Sequence, residues 1–587
     1  MLDKKEFDIL CYLKKNDYVS QRRLSSALAI SLGSTSRTLS ALRDKNLIDD
    51  SYNITKKGIN ALKPYKVTNA IIMAAGMSSR FVPISLERPK GLLVVKNEVL
   101  IERQIEQLKE AGIDDITIVL GYKKESFFYL EDKYGVNIII NPDYNKKNNI
   151  ETLYLAQDKL DNTYICSSDN YFTENVFDEY VYTSYYSAIH VHEKSNEWYM
   201  IPDSKFNISK VEKKGDDGFI MLGHVYWNRE FSKAFKKLIN IHHEIGDYDD
   251  NLWEDLFADN IKKLPKLYIN EYKLGVINEF DSLEELRKFD VYYVQNAHSK
   301  ILKDICKELG CKEIDVKNFK PIKEGLTNTS FVFEVKKKKY VYRFPGEGTE
   351  KIIDREHEKK ALEIASKLNV DSTYINMDGE SGWKLSRFVS GVRVPDYKNF
   401  ADSKRVLKVL SKLHKSKQKV DWEFNSFEEA KKIERILRKD YSIDVRDFDE
   451  LKKNVTKCYK KTVGDGIKKC FCHCDTYAPN WMLTKNETIL IDWEYAGMSD
   501  PGNDVGGYIM DAMYDVDEAK KFIAEYLKKE DSKSMFHYLA YVAIISYYWF
   551  VWALYREACG ASMGDSLHNW YVMAKRFSKY LVSEYKL

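Results

Sequence analysis

Two motifs suited to phosphate chemistry lie far apart in this sequence. The first, Ala74-Ala75-Gly76-Met77-Ser78-Ser79-Arg80, follows an apolar run, and the second extends from His473 to Asp492. The chain has 587 residues, whereas a single hydrophobic core stops growing at roughly 250 residues. We therefore expect three or more domains, with boundaries that separate residues 1–66, 67–293 and 294–587.

The composition argues against a polyelectrolyte or a membrane as the main partner. Lys and Arg number 92 and Asp and Glu 89, which leaves a net charge of +3. The most apolar stretch, Tyr541 to Leu554, is shorter than the about 20 residues of a spanning helix, so we expect a buried helix and no membrane insertion. Nine cysteines without a secretory signal predict free thiols in the cytoplasm.

Three of the cysteines cluster around His473. Cys470, Cys472 and Cys474 alternate along a short predicted strand, which would place them on one face. Zinc sites usually need four ligands in paired spacings such as CxxC, and this segment lacks that pattern. A catalytic loop is therefore the favoured interpretation, with zinc as the alternative.

The first 66 residues contain three segments in which apolar residues recur at helical spacing. Ser20 and Ser34 are suited to cap the second and third helices, and a hairpin follows at Ile48 to Ile54. This order of elements resembles a winged helix-turn-helix. Arg37 and Arg43 would lie on the exposed side of the third helix, where DNA readers make their contacts. DNA is one candidate partner, and protein contact is an equal alternative because the recognition helix has few basic residues.

From Val67 to about Phe289, predicted strands and helices alternate. The predicted strands are 70–75, 116–121 and 136–141, and the predicted helices are 101–111, 127–133 and 281–289. This alternation is typical of a parallel sheet with crossover helices. We expect a Rossmann-like α/β domain here.

The turn after the first of these strands is suited to bind a triphosphate. Small residues at Ala74, Ala75 and Gly76 let backbone N–H groups approach phosphates closely. Arg80 and Lys90 would bring positive charge to the α-phosphate as negative charge builds on it. These residues predict a nucleotidyl transfer site.

With Pro89-Lys90, this turn resembles the nucleotidyltransferases that make sugar and alcohol nucleotides. Residues 67–290 are similar, more specifically, to the CTP:phosphocholine cytidylyltransferases of bacterial phosphocholine-decoration pathways. The segments that carry this resemblance are Asn148-Asn149, Ser168-Asp169-Asn170-Tyr171, Asn196-Glu197-Trp198 and Glu279-Phe280-Asp281. The resemblance implies that Asp169 and Asp281 hold Mg²⁺ and that Asn149 faces the base. It also implies that Trp198 and Tyr171 contact the substrate.

The last segment has the element order of a bilobal kinase-like fold. A predicted hairpin, 331–335 and 340–344, turns at four lysines and is followed by a helix at 355–368 and a mostly helical half. The chain as a whole is therefore expected to be multidomain, α/β and α+β.

The motif at His473 fits phosphoryl transfer. Asp475 would accept the proton of a substrate hydroxyl, while Asn480 and Asp492 would hold the magnesium that bridges the ATP phosphates. Glu494, two residues further on, is a candidate helper at the substrate.

Residues 297–587 resemble the choline and aminoglycoside kinases. The loop Glu324–Ser330 looks like the nucleotide loop of that family, in which Gly325 and Asn328 would face the phosphates. The resemblance implies that Arg343 replaces the usual strand lysine. Its ion-pair partner would be Glu358, with Glu356 less favoured.

Trp549 and Trp552 lie three residues apart on one face of a predicted helix. Aromatic faces hold a quaternary ammonium at about 0.5–2 kcal/mol per contact. Aromatic stripes at helical spacing are also common in cores. The resemblance to the Trp-x-x-Trp of choline kinases favours a binding role here.

Together the two resemblances imply bifunctional synthesis of CDP-choline with Mg²⁺ as cofactor, at two independent sites. ATP would phosphorylate choline, and CTP would then react with phosphocholine. Three alternatives stay open: a DNA-binding regulator whose enzyme-like domains sense choline or nucleotide, a sugar-nucleotide enzyme fused to an aminoglycoside-type kinase, and the same two reactions on ethanolamine. The carboxylates at both sites argue against the first, and a primary ammonium would require carboxylate or carbonyl acceptors.

Overall fold

The structure is a computed structural model that describes residues 1–322, 328–346, 354–528 and 531–587. The chain divides into two compact units, Met1–Phe319 and Lys320–Leu587. The domain boundaries predicted at residues 66/67 and 293/294 stay predictions.

The N-terminal residues form the predicted winged helix-turn-helix. Its helices are Lys4–Lys15, Gln21–Ala27, Leu32–Asp44 and Lys56–Leu62, and an antiparallel bridge joins Ile48 to Ile54 in the wing. Ser20 caps the second helix, as predicted. The predicted cap of the third helix at Ser34 is wrong: the Ser31 side chain accepts the Ser34 N–H. Ser31 and Ser34 are equally suited to cap a helix, so the residue type alone could not decide between them. The helix begins about one turn earlier than we expected.

A nine-stranded mixed sheet forms the core of the remainder of the first unit. Its parallel strands confirm the predicted ones to within one residue at each end. These are Asn69–Ala74, Ile116–Leu120 and Asn137–Ile140, joined by Thr163–Ser167. The antiparallel extension, which the alternation did not predict, contains Tyr185–Val191, Tyr199–Pro202, Ile208–Glu212 and Gly218–Trp227. Strand Tyr268–Glu271 pairs parallel to Tyr185–Val191.

Helices cover this sheet, and their apolar faces form its core. They include Leu100–Glu110, Tyr129–Tyr134, Asn149–Leu155, Arg229–Ile245 and Trp253–Asn260. Helices Leu283–Phe289 and Lys300–Leu309 follow the sheet along the chain. Strands Asn69–Ala74 and Thr163–Ser167 are parallel neighbours, with Met73 opposite Ser167. Their carboxyl ends therefore bring the loops at Ala75 and Asp169 together, where ligands bind in open α/β sheets.

A five-stranded sheet, whose first strand spans the boundary between the two units, precedes the helical half of the second unit. The strands are Val316–Ile322, Asn328–Val335, Lys338–Pro345, Lys384–Arg387 and Tyr374–Met377 in spatial order. The predicted four-lysine turn is shorter than expected. Lys336 and Lys337 alone form it, both with left-handed φ, as a two-residue hairpin turn requires.

Helices build the larger part of the second unit around one hydrophobic core. They are Arg355–Lys367, Phe400–His414, Ser426–Asp440, Phe448–Thr462, Gly502–Asp511, Val516–Leu527, Ser532–Ala558 and Asp565–Glu584. Among the described residues, Ser532–Ala558 is the one helix long and apolar enough to cross a bilayer, and 83% of its most apolar window is buried in the protein. The length argument was therefore wrong, because this helix has 27 residues. Its burial is typical of a core helix.

Candidate active sites

A cavity of about 180 Å³ opens at the carboxyl ends of the central strands of the first unit. Five predicted nucleotide and catalytic residues, together with the predicted metal ligand Asp169, line it: Ala74, Ala75, Gly76, Lys90, Asn149 and Asp169. The Gly76 backbone has open space around it. The cavity therefore combines accessible backbone with a cation and a carboxylate, which suits a nucleotide and its metal.

Lys90 joins the two predicted metal ligands of this site. Its Nζ lies 2.7 Å from Asp169 Oδ2 and 3.7 Å from Asp281 Oδ1. Burial alone would lower the pKa of Lys90, but the charges of Asp169, Glu279 and Asp281 outweigh it and raise the pKa. Arg80, which is largely exposed, pairs with Asp281 Oδ2 at 2.7 Å.

Glu279 belongs to this charge cluster, although its role was not predicted. The residue is exposed to solvent, yet loss of hydration among the surrounding protein atoms raises its pKa to about 8; Asp169 adds to the shift and Lys90 opposes it. Its place two residues before Asp281 was a signal that we left unused. Three carboxylates facing two basic side chains form a site that a divalent cation would fit.

Asn149 lines the cavity, but its side chain already has partners. Its Nδ2 donates to Glu254 Oε2 at 3.2 Å, and its Oδ1 accepts the Trp253 N–H at 2.8 Å. Contact with the base, as the resemblance implied, would compete with these two hydrogen bonds.

The two predicted substrate aromatics have different environments. Trp198 is half-buried, and the Lys213 ammonium lies 4.8 Å from its ring centroid, so one ring face already accepts a cation. Tyr171 is buried, donates to Glu98 at 3.0 Å, and packs against Phe289. These contacts account for the burial of Tyr171, and its contact with the substrate stays a prediction.

In the second unit, Asn480 holds the side chain of Asp475. Its Nδ2 donates to Asp475 Oδ2 and to the Asp475 carbonyl, each at 2.9 Å. The 3₁₀ turn Ala478–Asn480 brings the amide back over the aspartate. Burial, and then the charges of Asp492 and Glu494, raise the pKa of Asp475 well above its usual value.

Asp504 fixes the backbone of this loop from helix Gly502–Asp511. Its two oxygens accept the N–H groups of His473 at 2.9 Å and Cys474 at 2.7 Å. Cys474 has a left-handed φ of 67°, so the loop turns sharply there. Asp504 was not predicted, because it reaches the loop from a later helix.

His473 is a structural member of the loop. Its Nε2 donates to the Ile491 carbonyl at 2.9 Å, and its Nδ1 accepts the Asp475 N–H at 3.2 Å. Burial lowers the pKa of His473, so the ring is neutral. Among the described residues, the cluster of side chains near this loop that could hold a metal contains His414, Cys470 and Cys472, and His473 is not part of it.

Arg343 links the predicted metal ligand Asp492 to helix Arg355–Lys367. Its NH2 lies 2.7 Å from Glu358 Oε1, and its NH1 lies 3.4 Å from Asp492 Oδ1. The predicted Arg343–Glu358 ion pair is confirmed, and Glu356 is exposed. Arg355, which we did not predict, holds the other Glu358 oxygen at 2.8 Å. Burial would raise the pKa of Asp492, but Lys384 and Arg343 hold it below its usual value.

Glu494 completes a group of three carboxylates with Asp475 and Asp492. Burial, followed by the charges of Asp492 and Glu358, raises the pKa of Glu494 to about 7. Its buried Oε2 has no hydrogen-bond partner in the described part of the chain. Clustered carboxylates with an unpartnered oxygen fit a divalent cation, which would neutralise their repulsion.

Aromatic rings gather next to these carboxylates. Trp549 contacts Trp552 at 5.4 Å, Trp570 at 5.6 Å and Tyr495 at 5.7 Å between ring centroids. Tyr495 directly follows Glu494, so the aromatic group adjoins the carboxylates. Arg556 lies 5.6 Å from the Trp552 ring, which shows that this ring also accepts a cation. Tyr495 and Trp570 were not predicted, because they come from different segments.

The predicted nucleotide loop is only partly described. Gly325 lies outside the described residues. Asn328 begins strand Asn328–Val335, and its Oδ1 accepts the Gly346 N–H at 3.4 Å.

Comparison with protein families divides the chain in the same order. Residues 2–49 match a winged helix-turn-helix DNA-binding model, residues 70–199 a MobA-like NTP transferase domain, and residues 319–559 a choline/ethanolamine kinase. The chain is thus a fusion of a winged helix, a nucleotidyltransferase and a kinase domain.

Individual relatives make the assignment of the nucleotidyltransferase domain more specific. A choline-phosphate cytidylyltransferase of Streptococcus pneumoniae is 35% identical, over 38% of this chain and 96% of its own length. A 2-aminoethylphosphonate cytidylyltransferase of Lancefieldella rimae is 34% identical, over 40% of this chain and 96% of its own. The chain therefore belongs, through its nucleotidyltransferase domain, to the family of these bacterial cytidylyltransferases. A solved choline kinase from Streptococcus pneumoniae is 26% identical over 49% of this chain and 100% of its own, with a TM-score of 0.41.

Proposed function

We propose that the chain makes CDP-choline in two steps. The kinase domain transfers phosphate from ATP to choline, and the nucleotidyltransferase domain joins phosphocholine to CTP with release of pyrophosphate. The observation that carries this proposal is the aromatic group around Trp549 beside the carboxylates of Asp475 and Glu494. A quaternary ammonium has no proton to donate, and aromatic faces are its natural partners.

In the kinase step, Asp475 accepts the proton of the choline hydroxyl as the choline oxygen attacks the γ-phosphorus of ATP. The bond between the γ-phosphorus and the β–γ bridging oxygen breaks, and ADP leaves. Asn480 keeps the carboxylate in place through the 2.9 Å bond to Oδ2. Asn480 and Asp492 would hold Mg²⁺, which would neutralise charge on the ATP phosphates. Arg343, locked by Glu358 at 2.7 Å, adds a positive charge at the same place.

In the second step, a phosphate oxygen of phosphocholine attacks the α-phosphorus of CTP. The new P–O bond forms as the bond to the β-phosphate bridge breaks, and pyrophosphate leaves. Lys90 and Arg80 stabilise the charge on the α-phosphate, and the backbone at Ala75 and Gly76 binds phosphate oxygens. Asp169 and Asp281 would hold Mg²⁺.

The choice of alcohol can be tested separately from the two reaction types. One relative of the nucleotidyltransferase domain is named for 2-aminoethylphosphonate, and the matched kinase family includes ethanolamine. The test is to compare kcat/KM of the full chain for choline against ethanolamine, and for phosphocholine against phosphoethanolamine and 2-aminoethylphosphonate. We expect both domains to prefer the trimethylated substrate by about 10-fold or more, because each lost methyl contact costs roughly 1 kcal/mol. A preference for either primary amine would overturn the choice of choline.

A second function, DNA binding, is supported by the match of residues 2–49. Arg37 and Arg43 are exposed on helix Leu32–Asp44, where a recognition helix makes contacts. A gel-shift series with the full chain and genomic DNA fragments tests it. A retarded fragment that the double variant R37A/R43A no longer retards would support DNA binding. The absence of any retarded fragment would favour a protein partner.

A further inference from the structure

A cluster of two thiols and an imidazole lies behind the catalytic loop of the kinase domain. The Sγ atoms of Cys470 and Cys472 and one ring nitrogen of His414 are all within 4.8 Å of one another. Cys472 is buried, Cys470 is half-buried, and the side chain of His414 is 4% exposed. Neither proposed reaction uses any of these three groups.

The spacing of the two sulfurs is that of a metal site. Cys470 and Cys472 are two residues apart on strand Cys470–Cys472, so both side chains point to one face. Their Sγ atoms are 3.6 Å apart. Two thiolates bound to tetrahedral zinc at about 2.3 Å would be about 3.8 Å apart, so little movement is needed to bind the ion.

The imidazole is oriented as a metal ligand would be. His414 Nε2 lies 2.9 Å from Asp504 Oδ2, and Nδ1 lies 2.7 Å from the Tyr526 hydroxyl. Nε2 is paired with a charged carboxylate, whereas Nδ1 contacts a neutral hydroxyl, so Nδ1 is the nitrogen that can more readily exchange its partner for a metal. Histidine ligands commonly donate their second N–H to a carboxylate, which fixes the ring, and Asp504 is placed to accept it.

The geometry points to a zinc site formed by His414 Nδ1 and the thiolates of Cys470 and Cys472, with water as the fourth ligand on the half-exposed side of Cys470. Soft thiolates with an imidazole select Zn²⁺ over the Mg²⁺ of the carboxylate sites. On binding, each thiol releases its proton to solvent, and Nδ1 gives up its contact with Tyr526.

The proposed zinc site has a consequence for the kinase, because Asp504 contacts both His414 and the catalytic loop. The Asp504 carboxylate, which pairs with His414 Nε2, also accepts the N–H groups of His473 and Cys474. Bound zinc would fix His414, and through Asp504 it would fix the backbone that carries Asp475. His414 is thus a positioning residue for the catalytic loop.

Cobalt(II) titration of the reduced full chain tests the site directly, because cobalt bound to thiolate absorbs in the near ultraviolet and cobalt bound to carboxylate does not. We expect the thiolate band to saturate at one equivalent per chain and to disappear when Zn²⁺ is added. C470S and C472S should each lose the band, and C559S, which changes an exposed thiol, should keep it. A wild-type chain without the band, or a band that survives in C470S and C472S, would overturn the proposal.

A second measurement does not depend on the variants being folded. Wild-type chain is alkylated with iodoacetamide with and without Zn²⁺, and each cysteine is followed by mass spectrometry. Zn²⁺ should slow alkylation of Cys470 and Cys472 at least 10-fold relative to Cys559. Equal rates with and without Zn²⁺, or protection at Cys306 and Cys311 instead, would contradict the site.

Discussion

Lys90 Nζ lies 2.7 Å from Asp169 Oδ2 at the edge of the nucleotide cavity. In this arrangement the ammonium neutralises a carboxylate that we propose as a metal ligand. When Mg²⁺ and CTP bind, Asp169 would help to hold the ion and Lys90 would be free to contact the α-phosphate. The pair therefore holds the lysine near the reacting phosphorus before substrate arrives.

Replacing Lys90 with Met should reduce kcat of cytidylyl transfer by about 100-fold or more, because one stabilising charge is lost in the transition state. Phosphorylation of choline should be unchanged, since the two reactions use separate sites. Steady-state kinetics of both reactions measures this. K262M, which removes an exposed lysine of the same unit, is the matched control. A loss of both activities in folded K90M would argue against two independent sites.

The kinase should gain activity as pH rises through about 7. Glu494 has a pKa of about 7 because it is buried next to Asp492, and only its ionised form can help to bind a cation. Below that pH the carboxyl is protonated, so kcat/KM should fall. E494Q should flatten this part of the profile, and added Mg²⁺ should move it to lower pH by favouring the ionised form. A wild-type profile that is flat from pH 6 to 8 would contradict the role of Glu494.

Trp549→Ala should raise the KM for choline about 3- to 30-fold, which corresponds to the 0.5–2 kcal/mol of one cation–π contact. The KM for ATP should change less than twofold, and W549F should recover most of the lost choline affinity. Initial-rate measurements over both substrates give these values. Equal increases in the two KM values would mean that Trp549 is a packing residue.

Glu358 should matter for both stability and phosphate binding, since it is fully buried between Arg343 and Arg355. Removing one partner from a buried ion pair costs about 3–5 kcal/mol. E358A should therefore lower the unfolding temperature of the kinase domain in calorimetry and raise the KM for ATP. E356A, which changes an exposed glutamate on the same helix, should do neither. An unchanged unfolding temperature in E358A would show that the pair adds no stability.

Sequence reasoning succeeded where the functional residues follow one another along the chain. Asp475 and Asn480 are five residues apart, and Ala74 to Gly76 directly follow a strand, so their proximity could be predicted. The choice of Glu358 over Glu356 as partner of Arg343 was also within reach, because helical spacing separates their faces.

Residues that come together only through tertiary packing were missed. Asp504 reaches the catalytic loop from a later helix, and Trp570 joins the aromatic group from the last one. The residues next to Asp504 and Trp570 in the sequence do not indicate which side chains these two contact. The substrate contact of Tyr171 stays a prediction, and the structure adds that its strand pairs with Ile277–Asn278 and that its side chain is buried.

The most direct test of the account is one reaction of the full chain with choline, ATP, CTP and Mg²⁺, followed over time by mass spectrometry. We predict that phosphocholine appears first and CDP-choline follows, and that omitting CTP stops the reaction at phosphocholine. If neither product forms and ethanolamine and sugars are equally inert, the two-step synthesis would be contradicted and a sensor that binds these compounds without turnover would be favoured.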